Sequence, residues 1–247
     1  MEDQIEQPLL EDSKDIEQNE KEINALIEEK IQNGFIVKVF SILLCQILLT
    51  GVMIAMSIYI PAFKYFVLTS KVVYIISVVT PFVIVFLPLC FKDIFRKVPT
   101  NYILLLIFTL AIGYLTSCAT ASIRPQLVLL AVFLTTITVA TLIIYAWKTP
   151  RDITIYGATL FVLLTTLVCS SFLLFFLRSI TIVNIIFCIL GLLLFSAYLI
   201  YDVQLMMGNK THKLNADDYI YAAMNLYLDI INIFLEILNL LQSIFGR

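Results

Sequence analysis

Seven long apolar runs dominate the sequence and restrict what the chain can fold into. Short charged linkers separate runs at roughly 35–60, 71–91, 101–123, 126–147, 153–177, 180–206 and 218–245. A helix needs about 20 apolar residues to cross a hydrocarbon core of ~30 Å, whereas a spanning strand shows about 10 residues of alternating polarity. The runs therefore predict an all-α integral membrane protein, a bundle of seven transmembrane helices.

The composition supports lipid as the main solvent. Hydrophobic residues make up 61% of the chain and charged residues 14%, against about 45–50% and 25% in soluble domains. Five cysteines lie in apolar runs without CxxC spacing, so we interpret them as buried free thiols. Because no basic stripe interleaves with aromatic residues, we expect the bilayer, and no nucleic acid, as a partner.

The first 34 residues differ from the rest of the chain. They carry eleven acidic side chains and three lysines, a net charge of −8. Residues 1–15 are predicted to be disordered. Isoleucine and leucine at helical spacing in residues 16–33 indicate an amphipathic helix, with a solvated tail as the alternative. We therefore predict an acidic tail over 1–34 and a membrane domain over 35–247.

The basic residues near the run ends predict the orientation. With seven spans, nine lysines and arginines lie on the side of the N-terminus and five lie on the other side. The positive-inside rule then predicts a cytosolic N-terminus and a C-terminus across the membrane. The seventh run is the least certain span, because its polar residues also fit a segment that dips into the membrane and returns.

Two acids inside predicted spans are the main candidates for chemistry. Asp202 precedes the helix-stopping Gly208 by about two turns, and Asp229 lies about eleven residues into the last helix. Both are expected in the cytosolic half of the membrane, where two close carboxyl groups would share a proton near neutral pH. Their oxygens suit transient calcium binding. Capping or pairing with loop lysines and bonding to neighbouring helices are the structural alternatives.

A polar stripe runs along the last helix, opposite an apolar face with Leu228, Ile231, Leu235 and Leu238. Such a stripe belongs inside a bundle, so we predict that the last helix is central. The pathway-lining candidates are Asn225, Asn232 and Glu236. Arg96 and Lys97 end the second run and are candidate basic partners of the aspartates, or ordinary membrane anchors. The full stripe comprises Asn225, Asp229, Asn232, Glu236 and Asn239.

Four segments resemble the Bax inhibitor family, in its lifeguard branch. Residues 201–208, YDVQLMMG, resemble its YDTQ-type motif, and residues 219–234, YIYAAMNLYLDIINIF, resemble its last-helix signature. Residues 35–50 and 96–114 resemble its first helix and its entry to helix three. Asn239, in place of a common basic residue, and the additional acid Glu236 depart from the family pattern.

The resemblance implies a seven-helix fold with a central last helix. It also implies a calcium leak gated by an aspartate pair, with roles in calcium homeostasis and in restraint of cell death. Asp202 and Asp229 match that pair, as pH sensor and ion pathway. Arg96, and second to it Lys97, matches the basic latch. An endomembrane, the ER or Golgi, is then expected in preference to the plasma membrane.

The sequence is consistent with two functions of different classes. The first is a pH-sensitive calcium-leak channel with calcium as the permeant ion, no cofactor, and membrane-bound cell-death regulators as candidate partners. The second is a non-conducting membrane adaptor that acts by protein–protein binding. We expect no enzyme, because GxSxG and HExxH are absent. The last run lacks the lysine that a retinal protein needs.

Overall fold

The computed structural model describes residues 3–90, 95, 97–177, 181–208 and 216–246. The described residues contain no strand. Two 3₁₀ turns, Thr154–Tyr156 and Ala216–Asp218, precede the sixth and the eighth α-helix. The all-α prediction is therefore confirmed. The helices are α1 (Asp3–Tyr59), α2 (Pro61–Thr69), α3 (Lys71–Cys90), α4 (Thr100–Ala121), α5 (Pro125–Lys148), α6 (Gly157–Leu177), α7 (Thr181–Met207) and α8 (Tyr219–Phe245).

The helices match the seven predicted runs. Six of the described helices are long and apolar enough to cross a membrane, and α2 with α3 forms a seventh candidate that is bent by 72°. Helix α8 continues without a break for 27 residues, so it has the length of a full span. The large apolar residues that α3, α5 and α6 expose, among them Phe82, Phe133 and Phe161, fit a lipid-facing surface.

The bend between α2 and α3 was not predicted from the sequence. Pro61 begins α2, and the backbone leaves the helical region at Ser70, where ψ is 78°. The hydroxyl of Tyr114 on α4 donates to the carbonyl oxygens of Val67 at 3.2 Å and of Ser70 at 3.4 Å. The contact from α4 thus satisfies the Val67 carbonyl near the end of α2, and the Ser70 carbonyl also accepts from the Tyr74 N–H at 3.0 Å.

The prediction of a disordered stretch over residues 1–15 is wrong for its described part, because α1 begins at Asp3. Residues 3–33 are rich in glutamate, glutamine, lysine and leucine, which have high helix propensity. Ile23, Leu26, Ile27 and Ile31 are exposed, so these four residues form no apolar face packed on the bundle.

Helix α8 is the centre of the bundle, as predicted. It packs against α1, α4, α5 and α7, and more than half of its residues are buried, including Tyr227, Ile233 and Leu238, which are fully enclosed. Its apolar face fills the core, because a helix surrounded by others must offer side chains to each neighbour.

The cysteine prediction is only partly correct. The four described cysteines are free thiols, but Cys45 and Cys169 are exposed, Cys118 is half-buried, and only Cys188 is buried. Cys90 belongs to the residues whose side chains the structure does not describe. A thiol behaves as a small apolar group, so a lipid-facing position suits it as well as a buried one.

Candidate functional site

The contact between α7 and α8 brings Asp202 and Asp229 together. Their carboxyl groups lie within reach of a side-chain hydrogen bond to each other. Asp229 is only 6% exposed and Asp202 is half-buried. Two carboxyl groups can share a hydrogen bond only when one of them carries the proton and donates its O–H. The arrangement can therefore hold one proton between two helices.

One oxygen atom of the Asp229 carboxyl group is able to accept further hydrogen bonds. Within the described part of the chain, its Oδ2 atom is buried and accepts no hydrogen bond from an N–H or O–H donor. A buried carboxylate oxygen without a donor is costly when it is charged. It is stabilised by a proton, by a cation, or by water that enters between the helices.

The residues around Asp202 explain how α7 presents this carboxyl group. Tyr201 packs against Gly157 at the start of α6, where an added Cβ would lie 2.9 Å from the tyrosine hydroxyl oxygen. Gln204 is fully buried, accepts from the Ile153 N–H at 2.8 Å and donates to the Arg151 carbonyl at 2.9 Å. Tyr201 and Gln204, on either side of Asp202, thus attach α7 to the start of α6 and to the segment before it, which fixes the rotation of α7 about its axis.

The end of α7 is also fixed. Gly208 has a φ of 69°, a left-handed conformation that glycine adopts without steric cost, so its predicted role as a helix stop is confirmed. Gln32 of α1 donates through Nε2 to the Met206 carbonyl. Helices α7 and α8 are in contact, so Asp202 and Asp229 lie on adjacent helices.

The polar stripe of α8 is enclosed over its middle and emerges at its end. Asn225 is half-buried, and Asn232 donates to the Leu228 carbonyl of its own helix at 2.9 Å. Asn239 is exposed. Asp229 and Glu236 are therefore the stripe residues whose side chains interact with α7.

Glu236 occupies a notch on α7. A Cβ added at Gly191 would lie 2.7 Å from Glu236 Oε1 and 2.8 Å from its Cδ, so any larger residue there would displace this carboxyl group. The buried thiol of Cys188 lies within side-chain hydrogen-bonding reach of the same group. Sequence reasoning treated Cys188 as packing only. Its i, i+3 spacing from Gly191 was the available signal of a close helix approach.

Aromatic residues surround the first turn of α8. The Lys38 Nζ atom lies 4.8 Å from the centroid of the Tyr219 ring, within the range of a cation–π interaction. The Tyr219 hydroxyl accepts from Asn101 Nδ2 at 3.3 Å and from the Tyr102 hydroxyl at 3.4 Å. Of the two candidate latch residues, Arg96 lies outside the described residues and Lys97 is exposed.

A second polar cluster joins α8 to α1 and α4. The hydroxyls of Thr50 and Tyr227 are 2.7 Å apart, and Gln46 Nε2 donates to Thr109 Oγ1 at 2.9 Å. All four side chains are buried. None was singled out from the sequence, because single threonines, glutamines and tyrosines in apolar runs do not form a pattern along one helix.

The carboxyl pair does not resemble a resident metal site. Among the residues that the structure describes, no group of three or more histidine, cysteine, aspartate or glutamate side chains converges. Calcium usually takes six to eight oxygen ligands. Two carboxyl groups therefore suit a transient contact in which water supplies the remaining ligands.

The sequence is similar to a family and to curated proteins over most of its length. A family profile described as "Inhibitor of apoptosis-promoting Bax1" matches residues 32–246. Human Protein lifeguard 3 is 32% identical over 211 residues, which cover 83% of this chain and 67% of that protein. Mouse Protein lifeguard 4 is 34% identical over 214 residues, which cover 87% of each chain. Mouse Protein lifeguard 3 is 31% identical over 221 residues, or 87% of this chain and 71% of that protein.

Proposed function

The chain belongs to the Bax inhibitor family of multi-pass membrane proteins, and on that premise we propose that it is a pH-sensitive calcium leak. It acts in an endomembrane, the ER or Golgi, and contributes to calcium homeostasis and cell-death regulation, with membrane-bound cell-death regulators as candidate partners. Calcium is the permeant ion. The single observation that carries the proposal is the approach of Asp202 to Asp229 across the α7–α8 contact.

The proton shared by the two carboxyl groups closes the leak. In that form the pair carries one negative charge, and its hydrogen bond joins α7 to α8. Loss of the proton leaves two carboxylates at close range, which repel each other and loosen the contact. The same change creates a doubly charged oxygen site that attracts a divalent cation. Calcium flux should therefore rise as pH rises.

A basic residue that follows α3 in the sequence would balance the charge of the ionised pair. The family resemblance assigns this role to Arg96. An arginine that pairs with the carboxylates lowers the cost of their charge and competes with calcium for them. Arg96→Gln should then shift the pH at which flux changes, whereas Lys97→Gln, at an exposed position, should not.

The test is calcium flux in liposomes that contain the purified protein, measured between about pH 5 and 8, where a shared carboxyl proton would be released. Asp202→Asn and Asp229→Asn should each flatten the pH profile, and the double variant should add little because the residues act as one unit. Glu29→Gln, which removes an exposed acid of α1, is the matched control.

The outcomes separate the two classes of function. Wild-type pH profiles in both single variants would make the aspartates structural residues. Absence of flux in the wild-type protein, over a calcium gradient and across this pH range, would favour the adaptor that conducts nothing and acts by binding partners.

The orientation of the chain is a separate part of the proposal. We place the N-terminus in the cytosol and Arg247 across the membrane, because basic residues are in excess on the N-terminal side. Protease protection of tags at both ends in sealed vesicles tests this. Glycosylation at the Asn209-Lys210-Thr211 sequon would place the α7–α8 connection in the lumen and reverse the orientation.

A further inference from the structure

Helix α8 carries a second acid on the face that meets α7. Glu236 follows Asp229 by seven residues, two helical turns or about 10 Å along the axis. The two carboxyl groups therefore lie on the same face at different depths in the membrane. Asn232 lies between them, and its amide is bonded to the Leu228 carbonyl of its own helix.

The shape of α7 determines where the side chain of Glu236 lies. The missing side chain of Gly191 makes room for the carboxyl group, since a Cβ there would be 2.7 Å from Oε1 and 3.2 Å from Cγ. Cys188, one turn away on the same face, is 2% exposed and lies beside that group. An S–H group is a weak donor, so it orients a carboxylate and leaves most of its acceptor capacity free.

Of the residues that the structure describes, none besides Cys188 brings an ionisable side chain to Glu236. On α7, Cys188 is the titratable residue that faces Glu236. Helix α5 has titratable side chains only at Tyr145 and Lys148, in its last turn. On α1 the titratable side chains after Lys38 are Cys45, which is exposed, and Tyr59, the last residue of the helix. On α4, Tyr114 and Cys118 bond to the Val67 carbonyl.

We propose that Glu236, seated at Gly191 beside the Cys188 thiol, is a second binding site for a divalent cation, in series with the aspartate pair. This inference rests on the proposed calcium leak, because a second site is needed only where an ion passes along α8. Two weak sites in series let an ion enter and leave, whereas one strong site would retain it. The carboxylate supplies charge and oxygen ligands, and water supplies the rest.

Three substitutions separate the parts of the site. Glu236→Gln removes the charge and preserves the shape. Gly191→Ala displaces the carboxyl group without altering any ionisable residue, and Cys188→Ala removes the thiol donor. Asn239→Ala, one turn along α8 at an exposed position, is the matched control.

The first measurement is calcium flux in liposomes. Glu236→Gln should lower flux about tenfold, as expected when a site loses its only charged ligand, and should retain the pH profile set by the aspartate pair. Gly191→Ala should also lower calcium flux. Wild-type flux in Glu236→Gln, together with an altered pH profile in Asp229→Asn, would overturn the second site and leave the proposed leak intact.

The second measurement does not depend on flux. Calcium added to the purified protein should change the infrared carboxylate bands, and part of that change should vanish in Glu236→Gln and persist in Asn239→Ala. Cys188→Ala should shift the carboxylate bands when Glu236 is present. It should have no such effect in a protein that also carries Glu236→Gln. If the calcium-induced change is identical in wild type and Glu236→Gln, Glu236 binds no cation, whatever the flux assay gives.

Discussion

Helices α6 and α8 both carry polar side chains at membrane depth, and they use them in opposite ways. On α6, Thr165, Thr166 and Ser170 are exposed or half-buried, and each hydroxyl donates to the carbonyl four residues earlier in the same helix. On α8, Asp229, Glu236 and Tyr227 reach to other helices. A hydroxyl can donate to a carbonyl of its own helix, but a carboxylate has no donor for one, so it takes partners from other helices.

The same difference explains the surroundings of the two helices. The outer face of α6 lines an open groove of about 440 Å³ with Phe161, Val162, Thr165, Thr166, Cys169 and Ser170. This groove lies on a helix that exposes apolar side chains to lipid, and it contains neither aspartate. The polar chemistry of the bundle is instead enclosed where α8 meets its neighbours.

The largest effect should come from a charge on the packed face of α8. Ile231→Lys places an ammonium group at a position that is 7% exposed and should cost about 3 kcal/mol or more. Asn232→Lys, on the half-buried polar stripe, should cost clearly less. Thermal unfolding in detergent gives the ranking. Equal losses would mean that the two faces of α8 do not differ.

A truncation compares the two helices directly. Leu238→Ala on α8 removes a fully buried side chain and should lower the free energy of unfolding by about 3 kcal/mol through cavity formation. Leu163→Ala on α6, where the leucine is 49% exposed, should change it by about 0.5 kcal/mol or less. Denaturant titration of both variants measures the difference, and similar losses would place α6 inside the bundle.

The smallest effect should come from single hydroxyls. Tyr227→Phe and Thr50→Val each break the 2.7 Å interhelical hydrogen bond, and their double-mutant cycle should give a coupling of about 1 kcal/mol. Thr166→Val, whose hydroxyl bonds its own helix, should show no coupling to Thr50→Val in the same assay. A coupling near zero for Tyr227 and Thr50 would show that interhelical bonds of α8 are no stronger than the local bonds of α6.

Much of the candidate site followed from spacing along single helices. The positions of Asp202 before Gly208 and of Asp229 within the last run predicted two acids at compatible heights, and the structure brings their carboxyl groups together. The stripe on α8 predicted Asn225, Asn232 and Glu236 as pathway-lining residues, and that role stays a prediction. The approach of the two acids was predictable because rise per residue and helical period are properties of one segment.

Other parts of the site could not be predicted in this way. The roles of Gln204, Thr50 and Cys188 depend on partners 48 or more positions away in sequence. Gln204 binds residues 151 and 153, Thr50 meets Tyr227, and Cys188 lies beside Glu236. A single sequence does not encode which of many buried polar residues meet. Their pairing depends on the order and rotation of packed helices.

The sequence by itself determined the solvent, the long apolar helices and the central position of the last helix, because the hydrophobic effect and backbone hydrogen bonding act on each segment separately. Only the tertiary structure decided that α2 and α3 bend by 72° at Ser70, that Cys45 and Cys169 face outward, and that Gly191 accommodates Glu236. Each of these depends on the distance between two helices. Packing of the side chains between the two helices sets that distance, so it cannot be derived from the residue pattern of one helix.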